Sequence, residues 1–285
     1  MPWLLDAQDK AAQLFAQVDE RHLVAPGVTE RQASDAIRDL AAELFNVDRH
    51  WHKRIVRAGP NTLQPYRENP PDRIITDDDI VFCDFGPIFE GWEADFGRTF
   101  VLGDDPVKHR LRDDLPTGWQ AGRDFFDKHA DVTGEQLFAH MVELSQQSGW
   151  EFGGSIAGHL VGEFPHETID GDDIESYMAP GSDRPMRRLD RAGQQCHWIL
   201  EVHLVDRTVR SAASTSSCST SARYRQLMRE LLRSPSTTTD TAWPHDPQQP
   251  NISEIRSVLH PVPSAPDRTG EHWRLSSPWP QPRWQ

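Results

Sequence analysis

Two aspartates lie on either side of a short turn in the stretch Asp79 to Gly103, DIVFCDFGPIFEGWEADFGRTFVLG. Ile80-Val81-Phe82-Cys83 and Arg98-Thr99-Phe100-Val101-Leu102 flank a turn near Phe89-Glu90-Gly91, the pattern of strand, turn, strand. A hairpin centred between Phe89 and Glu90 sets Asp84 directly opposite Asp95, with Cβ atoms about 4.5–5.5 Å apart. Two carboxylates that close repel, so one keeps its proton or a cation sits between them. Hard divalent cations take such oxygen ligands. Two lone aspartates at a turn are more often solvated, so the rest of the chain must decide.

Three further groups carry candidate chemistry. His50-Trp51-His52-Lys53-Arg54-Ile55-Val56 reads as a strand with two histidines on one face. Gly158-His159-Leu160-Val161-Gly162 places a histidine between glycines that allow close backbone approach, and His166-Glu167 follows it. Cys196 to Leu204 is an apolar run with Glu201 in its middle. A carboxylate there is costly unless paired or metal-bound. Each group alone has a bland reading, as surface histidines, a glycine-rich loop or an edge-strand acid.

The elements that must position these residues follow from periodicity. Residues 4–20 carry apolar residues at helical spacing. After Pro26-Gly27, Thr29 with Gln32 forms a capping-box pattern opening a second helix through about Phe45. Pro60, Pro65, Pro70 and Pro71 make a long loop before the hairpin. Helical material follows Asp104-Asp105-Pro106 to about Lys128, with an expected interruption at Pro116-Thr117-Gly118. Thr133-Gly134-Glu135 opens another helix through about Gln147.

The 285 residues have room for one large or two ordinary domains. A net charge of −14 argues against nucleic acid or an anionic membrane surface as partner. No apolar stretch approaches the ~20 residues of a membrane span. The start lacks the features of a secretory signal. Cys83, Cys196 and Cys218 imply no disulfide framework, so a cytoplasmic location is expected. From Arg207 onward, ten Arg and no Lys face six acids, and the chain turns rich in Ser, Thr and Pro. Such composition buries little apolar surface. We therefore expect a catalytic domain over 1–206 and a low-complexity tail over 207–285.

Together these pieces resemble the pita-bread metallopeptidases: methionine aminopeptidase, aminopeptidase P and prolidase, with creatinase as a non-peptidase relative. Asp84, Gly86, Gly91, Trp92, Asp95, Arg98 and Thr99 match the family's hairpin. His159 with His166 and Glu167 matches its Gly-His segment, and Leu200-Glu201 its Ile-x-Glu strand. The Pro26-Gly27-Val28-Thr29-Glu30 lead into a helix is also similar, and the resemblance covers roughly residues 1–206. It implies an α+β fold, with a curved antiparallel sheet, outer helices and a central dinuclear metal cleft. It implies Asp84, Asp95, His159 and Glu201 as metal ligands, with Asp95 bridging two divalent ions (Mn, Co, Fe or Zn). Water shared by the two ions would attack an amide carbonyl. His166 would bind the substrate carbonyl and stabilise the oxyanion. Glu201 is also expected to serve catalysis, and one of His50 and His52, with His52 preferred, to bind substrate. The substrate would be a peptide or dipeptide, cut at its N-terminal residue or a Xaa-Pro bond, with a homodimer left open.

One departure stands out. The family has a second glutamate on the strand after Glu201, whereas this chain reads Thr208 to Ser219, TVRSAASTSSCS. Glu230 is a substitute candidate, in a segment that reads as helix. A one-base shift of reading frame would turn Arg210 to Ser219 into an apolar strand containing a Glu, so a frameshifted, non-native tail is one explanation. The competing reading is a catalytically impaired relative that binds without turnover. Creatinase-like chemistry is disfavoured by the carboxylate set. A protein kinase, suggested by Asp-Phe-Gly at 84–86 and 95–97, lacks its other motifs.

Overall fold

The computed structural model describes residues 2–162, 173–190, 193–206, 208 and 211–218. All lie within one compact unit, residues 1–233. Helix α1 (Pro2–Glu20) buries Ala7, Ala11, Leu14, Phe15 and Val18 along one face. Helix α2 (Glu30–Phe45) starts at the expected capping box, with Thr29 and Gln32 satisfying each other's backbone N–H groups. Asn46 closes it in the left-handed region.

Strand β1 (Ile55–Ala58) leads into a 3-10 turn at Gly59–Leu63. The expected strand does not reach the histidines: His50 makes an isolated bridge to Pro87, and residues 51–52 form a bend. Strand β2 (Ile80–Phe85) then enters the hairpin, whose tip is formed by β3 (Ile88–Phe89) and β4 (Trp92–Glu93). Strand β5 (Phe96–Val101) returns.

The turn centre lies one residue later than expected, so each strand residue's partner shifts by two. Phe89 pairs with Trp92 and Asp84 with Gly97, so the turn is centred between Glu90 and Gly91. Glu90 (φ 54°) and Gly91 (φ 91°) both take positive φ, as a two-residue turn matched to strand twist requires. Asp95 is therefore two residues from the partner of Asp84, a diagonal neighbour on the same face of the sheet. Diagonal pairs remain within reach of each other's side chains.

Helix α3 (Pro106–Lys128) runs unbroken through Pro116. Leu111, Leu115 and Trp119 are buried along one stripe, and this packing holds the helix together across the missing N–H. A Cβ at Gly122 would meet Met141 and Leu200, so α3 lies close on the sheet. Helix α4 (Gly134–Gln147) starts at a second capping box, Thr133 with Gln136. Strands β6 (Glu151–Phe152), β7 (Gly158–Val161), β8 (His197–Asp206) and β9 (Ser211–Cys218) follow. One seven-stranded antiparallel sheet runs β1-β2-β5-β9-β8-β6, with β7 also paired to β8.

Strand β9 lies beyond the boundary expected at 206, in a stretch with no apolar alternation. Its neighbours hold it in place. Thr99 Oγ1 donates to the Ser214 carbonyl and accepts from the Ser214 N–H, and Thr62 Oγ1 accepts from the Ala212 N–H. Gly97 makes room: a Cβ there would fall 2.9 Å from the Ser216 nitrogen.

Candidate metal centre

Four strands converge on one buried cluster of acids and imidazoles. Asp84 comes from the end of β2, and Asp95 from the residue before β5. His159 comes from β7 and Glu201 from β8. Gly158 is what lets β7 lie against β8, because a Cβ there would sit 2.0 Å from the Ile199 carbonyl oxygen. Gly162, by contrast, has open space around it.

His159 Nε2 lies 2.9 Å from Asp95 Oδ2 and 3.5 Å from Glu201 Oε1. Its Nδ1 is 2.7 Å from the Leu160 carbonyl. A carbonyl only accepts, so Nδ1 carries a proton and Nε2 faces the acids. Burial alone would favour neutral His159, but the hydrogen bond and charge of Asp95, then Glu201, raise its pKa to about 9. Asp95 is likewise opposed by burial, yet His159 holds it at about 2. Asp84 behaves oppositely. Burial, then the charges of Asp95 and Glu201, push its carboxyl well above the usual carboxylate range. In the metal-free protein this arrangement favours a protonated Asp84 beside an ionised Asp95.

His52 is the member of the His50/His52 pair that enters the cluster. Its Nε2 lies 3.9 Å from Asp84 Oδ1, and its Nδ1 2.7 Å from the Lys53 carbonyl. Trp51 Nε1 donates to the Ala94 carbonyl, which ties this bend to the hairpin. His50 instead packs against Phe85, with ring centroids 5.9 Å apart. Burial, then the neighbouring Arg54, lowers its pKa to about 4.

Two residues outside the expected ligand and substrate-binding set belong here. His203, two residues along β8 and so on the same face as Glu201, places Nε2 2.9 Å from Glu201 Oε2. Burial opposes its protonation, but Glu201 outweighs burial and raises its pKa. The alternation Glu201-x-His203 was the available signal. Ser216 stands opposite both Glu201 and Gly97 in the sheet, and its hydroxyl donates to Asp95 Oδ1 at 3.0 Å. Its Ser/Ala/Thr context gives no signal, and only the shifted reading frame, which sets its glutamate across Thr215 and Ser216, points to this position. His166, Glu167 and Glu230 lie outside the described residues.

The donor set fits a divalent cation. One ligand atom each from Asp95, His159 and Glu201 lie within 4.8 Å of one another, as do those of His52, Asp84 and Asp95. His52 Nε2 is buried without a hydrogen-bond partner, and three carboxylates crowd a site that a cation would neutralise.

Residues 3–189 match the model of metallopeptidase family M24. A protein described as a Xaa-Pro aminopeptidase in Mycoplasma genitalium is 37% identical over 113 residues, 39% of this chain and 31% of that protein. Its counterpart in Mycoplasma pneumoniae is 30% identical over 86 residues, 30% of this chain and 24% of that protein. The matched stretch thus spans under a third of these relatives' length. Among solved structures, dipeptidase PepE from Mycobacterium ulcerans superposes with a TM-score of 0.58 at 22% identity, over 76% of this chain and 55% of that one. The X-Pro aminopeptidase from Thermotoga maritima gives 0.57 at 18% identity, over 75% and 58%. The prolidase from Thermococcus sibiricus gives 0.56 at 20% identity, over 76% and 56%. The fold is the pita-bread fold.

Proposed function

We propose, from the premise that this chain belongs to metallopeptidase family M24, that it is a metal-dependent peptidase acting at an N-terminal residue or a Xaa-Pro bond. The observation that carries this reading is the convergence of Asp84, Asp95, His159 and Glu201 on one buried centre. The Xaa-Pro preference is drawn from the relatives, whose descriptions name Xaa-Pro aminopeptidases and prolidases.

Asp95 would be the shared ligand, because it belongs to both groups of donor atoms, one with His52 and Asp84 and one with His159 and Glu201. Divalent cations held there (Mn, Co, Fe or Zn) would supply an activated water and polarise the substrate amide carbonyl. Trp51 packs edge-on against both His52 and His159 and shields the imidazoles from bulk water. Glu201, expected to serve catalysis, would be oriented by His203, whose Nε2 lies 2.9 Å from its Oε2. His166 is assigned the substrate carbonyl by family resemblance alone. A cytoplasmic site of action fits the buried free thiols Cys83 and Cys196.

A second reading is favoured by Ser216, which offers a neutral hydroxyl where the family supplies a second carboxylate. On that reading the chain binds peptide and metal without turnover. To separate the two, the full chain is loaded with Mn²⁺ and given Xaa-Pro dipeptides and tripeptides with proline second, with products followed by mass spectrometry. Chelator-sensitive release of the N-terminal residue, reduced by about 10²-fold or more in Asp95→Asn, supports the peptidase. Metal uptake with no product from any peptide supports the binding protein.

A further inference from the structure

We propose that His52 is a metal ligand: its Nε2, with one oxygen each of Asp84 and Asp95, holds a divalent cation beside the ion of Asp95, His159 and Glu201. The family resemblance assigns His52 to the substrate. The proposal rests on the reading above that the cluster binds cations, and extends it to a residue outside the expected ligand set.

Four observations support it. The ligand atoms of His52, Asp84 and Asp95 already lie within 4.8 Å of one another. The side chain of His52 is only 6% exposed, and its Nε2 makes no hydrogen bond, so an unsatisfied lone pair points into a carboxylate cluster. Leaving such an atom unpaired is costly. The tautomer is fixed for ligation: Nδ1–H donates to the Lys53 carbonyl, which leaves the lone pair on Nε2. His159 uses the same device, with Nδ1–H on the carbonyl of the next residue.

The fourth observation is that the chain makes room for the ring. A Cβ at Gly86 would fall 2.3 Å from His52 Cδ2 and 2.6 Å from Nε2. The Trp51 N–H also donates to the Gly86 carbonyl, so the bend and the hairpin are fastened at the same residue. Strand β9, meanwhile, gives this side of Asp95 only the Ser216 hydroxyl. The imidazole supplies the donor that a second β9 carboxylate would have supplied.

The test is a cobalt(II) titration of the full metal-free chain, read by calorimetry and by proton NMR of exchangeable, paramagnetically shifted imidazole N–H signals. Two ions per chain are expected, with shifted signals from the Nδ1–H of both His52 and His159. His52→Gln should weaken the second ion by at least about tenfold, remove one shifted signal and leave the first ion unchanged. Gly86→Ala keeps the imidazole but displaces the ring, and should weaken the same ion. Retention of both binding steps and every shifted signal in His52→Gln overturns the assignment and leaves the hydrolase reading standing. No cobalt uptake by the native chain overturns both.

Discussion

Ser216 Oγ donates to Asp95 Oδ1 at 3.0 Å, while Asp95 Oδ2 faces His159 Nε2 at 2.9 Å. The central carboxylate is thus held between a neutral donor from β9 and a charged donor from β7, and its low pKa follows from both. Without metal, the site behaves as a proton-stabilised polar cluster. A cation entering it must displace protons from Asp84 and from His159 Nε2.

Ser216→Glu should invert that balance. A fourth carboxylate beside Asp84, Asp95 and Glu201 repels them, so the metal-free variant should lose on the order of 1–3 kcal/mol of stability. The same charge should raise Mn²⁺ affinity, so the gain in Tm on adding Mn²⁺ should exceed that of the native chain. Thermal denaturation with and without Mn²⁺ checks this. Equal gains in both proteins would show that position 216 does not face the ions.

Asp84→Asn separates metal binding from folding. Burial and the charges of Asp95 and Glu201 raise the Asp84 pKa above its unfolded value. A carboxyl of this kind makes stability fall as pH rises above the unfolded pKa, because the unfolded chain releases the proton more readily. The amide removes that loss, so the metal-free variant should be at least as stable as the native chain at neutral pH. Native stabilisation of about 2.7 kcal/mol at a metal concentration of 100 times Kd should fall sharply. Denaturant melts at fixed Mn²⁺ provide the measurement, and an unchanged metal-induced gain would remove Asp84 from the ligand set.

The parts of this site that were legible in the sequence are those carried by short-range signals. The hairpin shows its alternating runs, and Gly158 announces a close approach that a 2.0 Å clash accounts for. The register differs from the expected one because Glu90 takes a positive φ that favours Gly or Asn. Asp84 and Asp95 still meet, since the partner of Asp84 shifts by two residues, which keeps Asp95 on the same face. Strand β9 was legible only through the family resemblance, which calls for a strand after Glu201: Ser, Ala and Thr give it no apolar period, and Gly97 and Thr99 of a distant strand hold it. Strand periodicity did not separate His52 from His50, because a bend, rather than a strand, sets their directions.

His50 should make the fold acid-sensitive. Its ring packs on Phe85, with Arg54, His52 and Arg38 as the charged or titratable groups that depress its pKa to about 4. A depressed histidine pKa means that the unfolded chain binds the proton first. Stability contributed by neutral His50 is present above about pH 6.5 and is lost progressively as pH falls toward 4. His50→Phe should flatten this part of the stability–pH curve between pH 7 and 4.5. Urea melts across that range test it, and parallel curves for the two proteins would count against His50.

Gly158→Ala should damage the site through the backbone. At φ 135° with the Ile199 carbonyl 2.0 Å from the built Cβ, alanine cannot be accepted by a rotamer change. Strand β7 must move away from β8, which breaks the Gly158–Leu200 pairing and carries His159 off Asp95 and Glu201. The expected cost is on the order of 1–3 kcal/mol, with metal affinity reduced as the imidazole leaves its carboxylates. Gly162→Ala is the matched control, because nothing lies within 4 Å of its built Cβ. Denaturant melts and cobalt titration of the two variants should separate widely. If Gly158→Ala matched Gly162→Ala in both measurements, the close approach of β7 to β8 would not be what places His159.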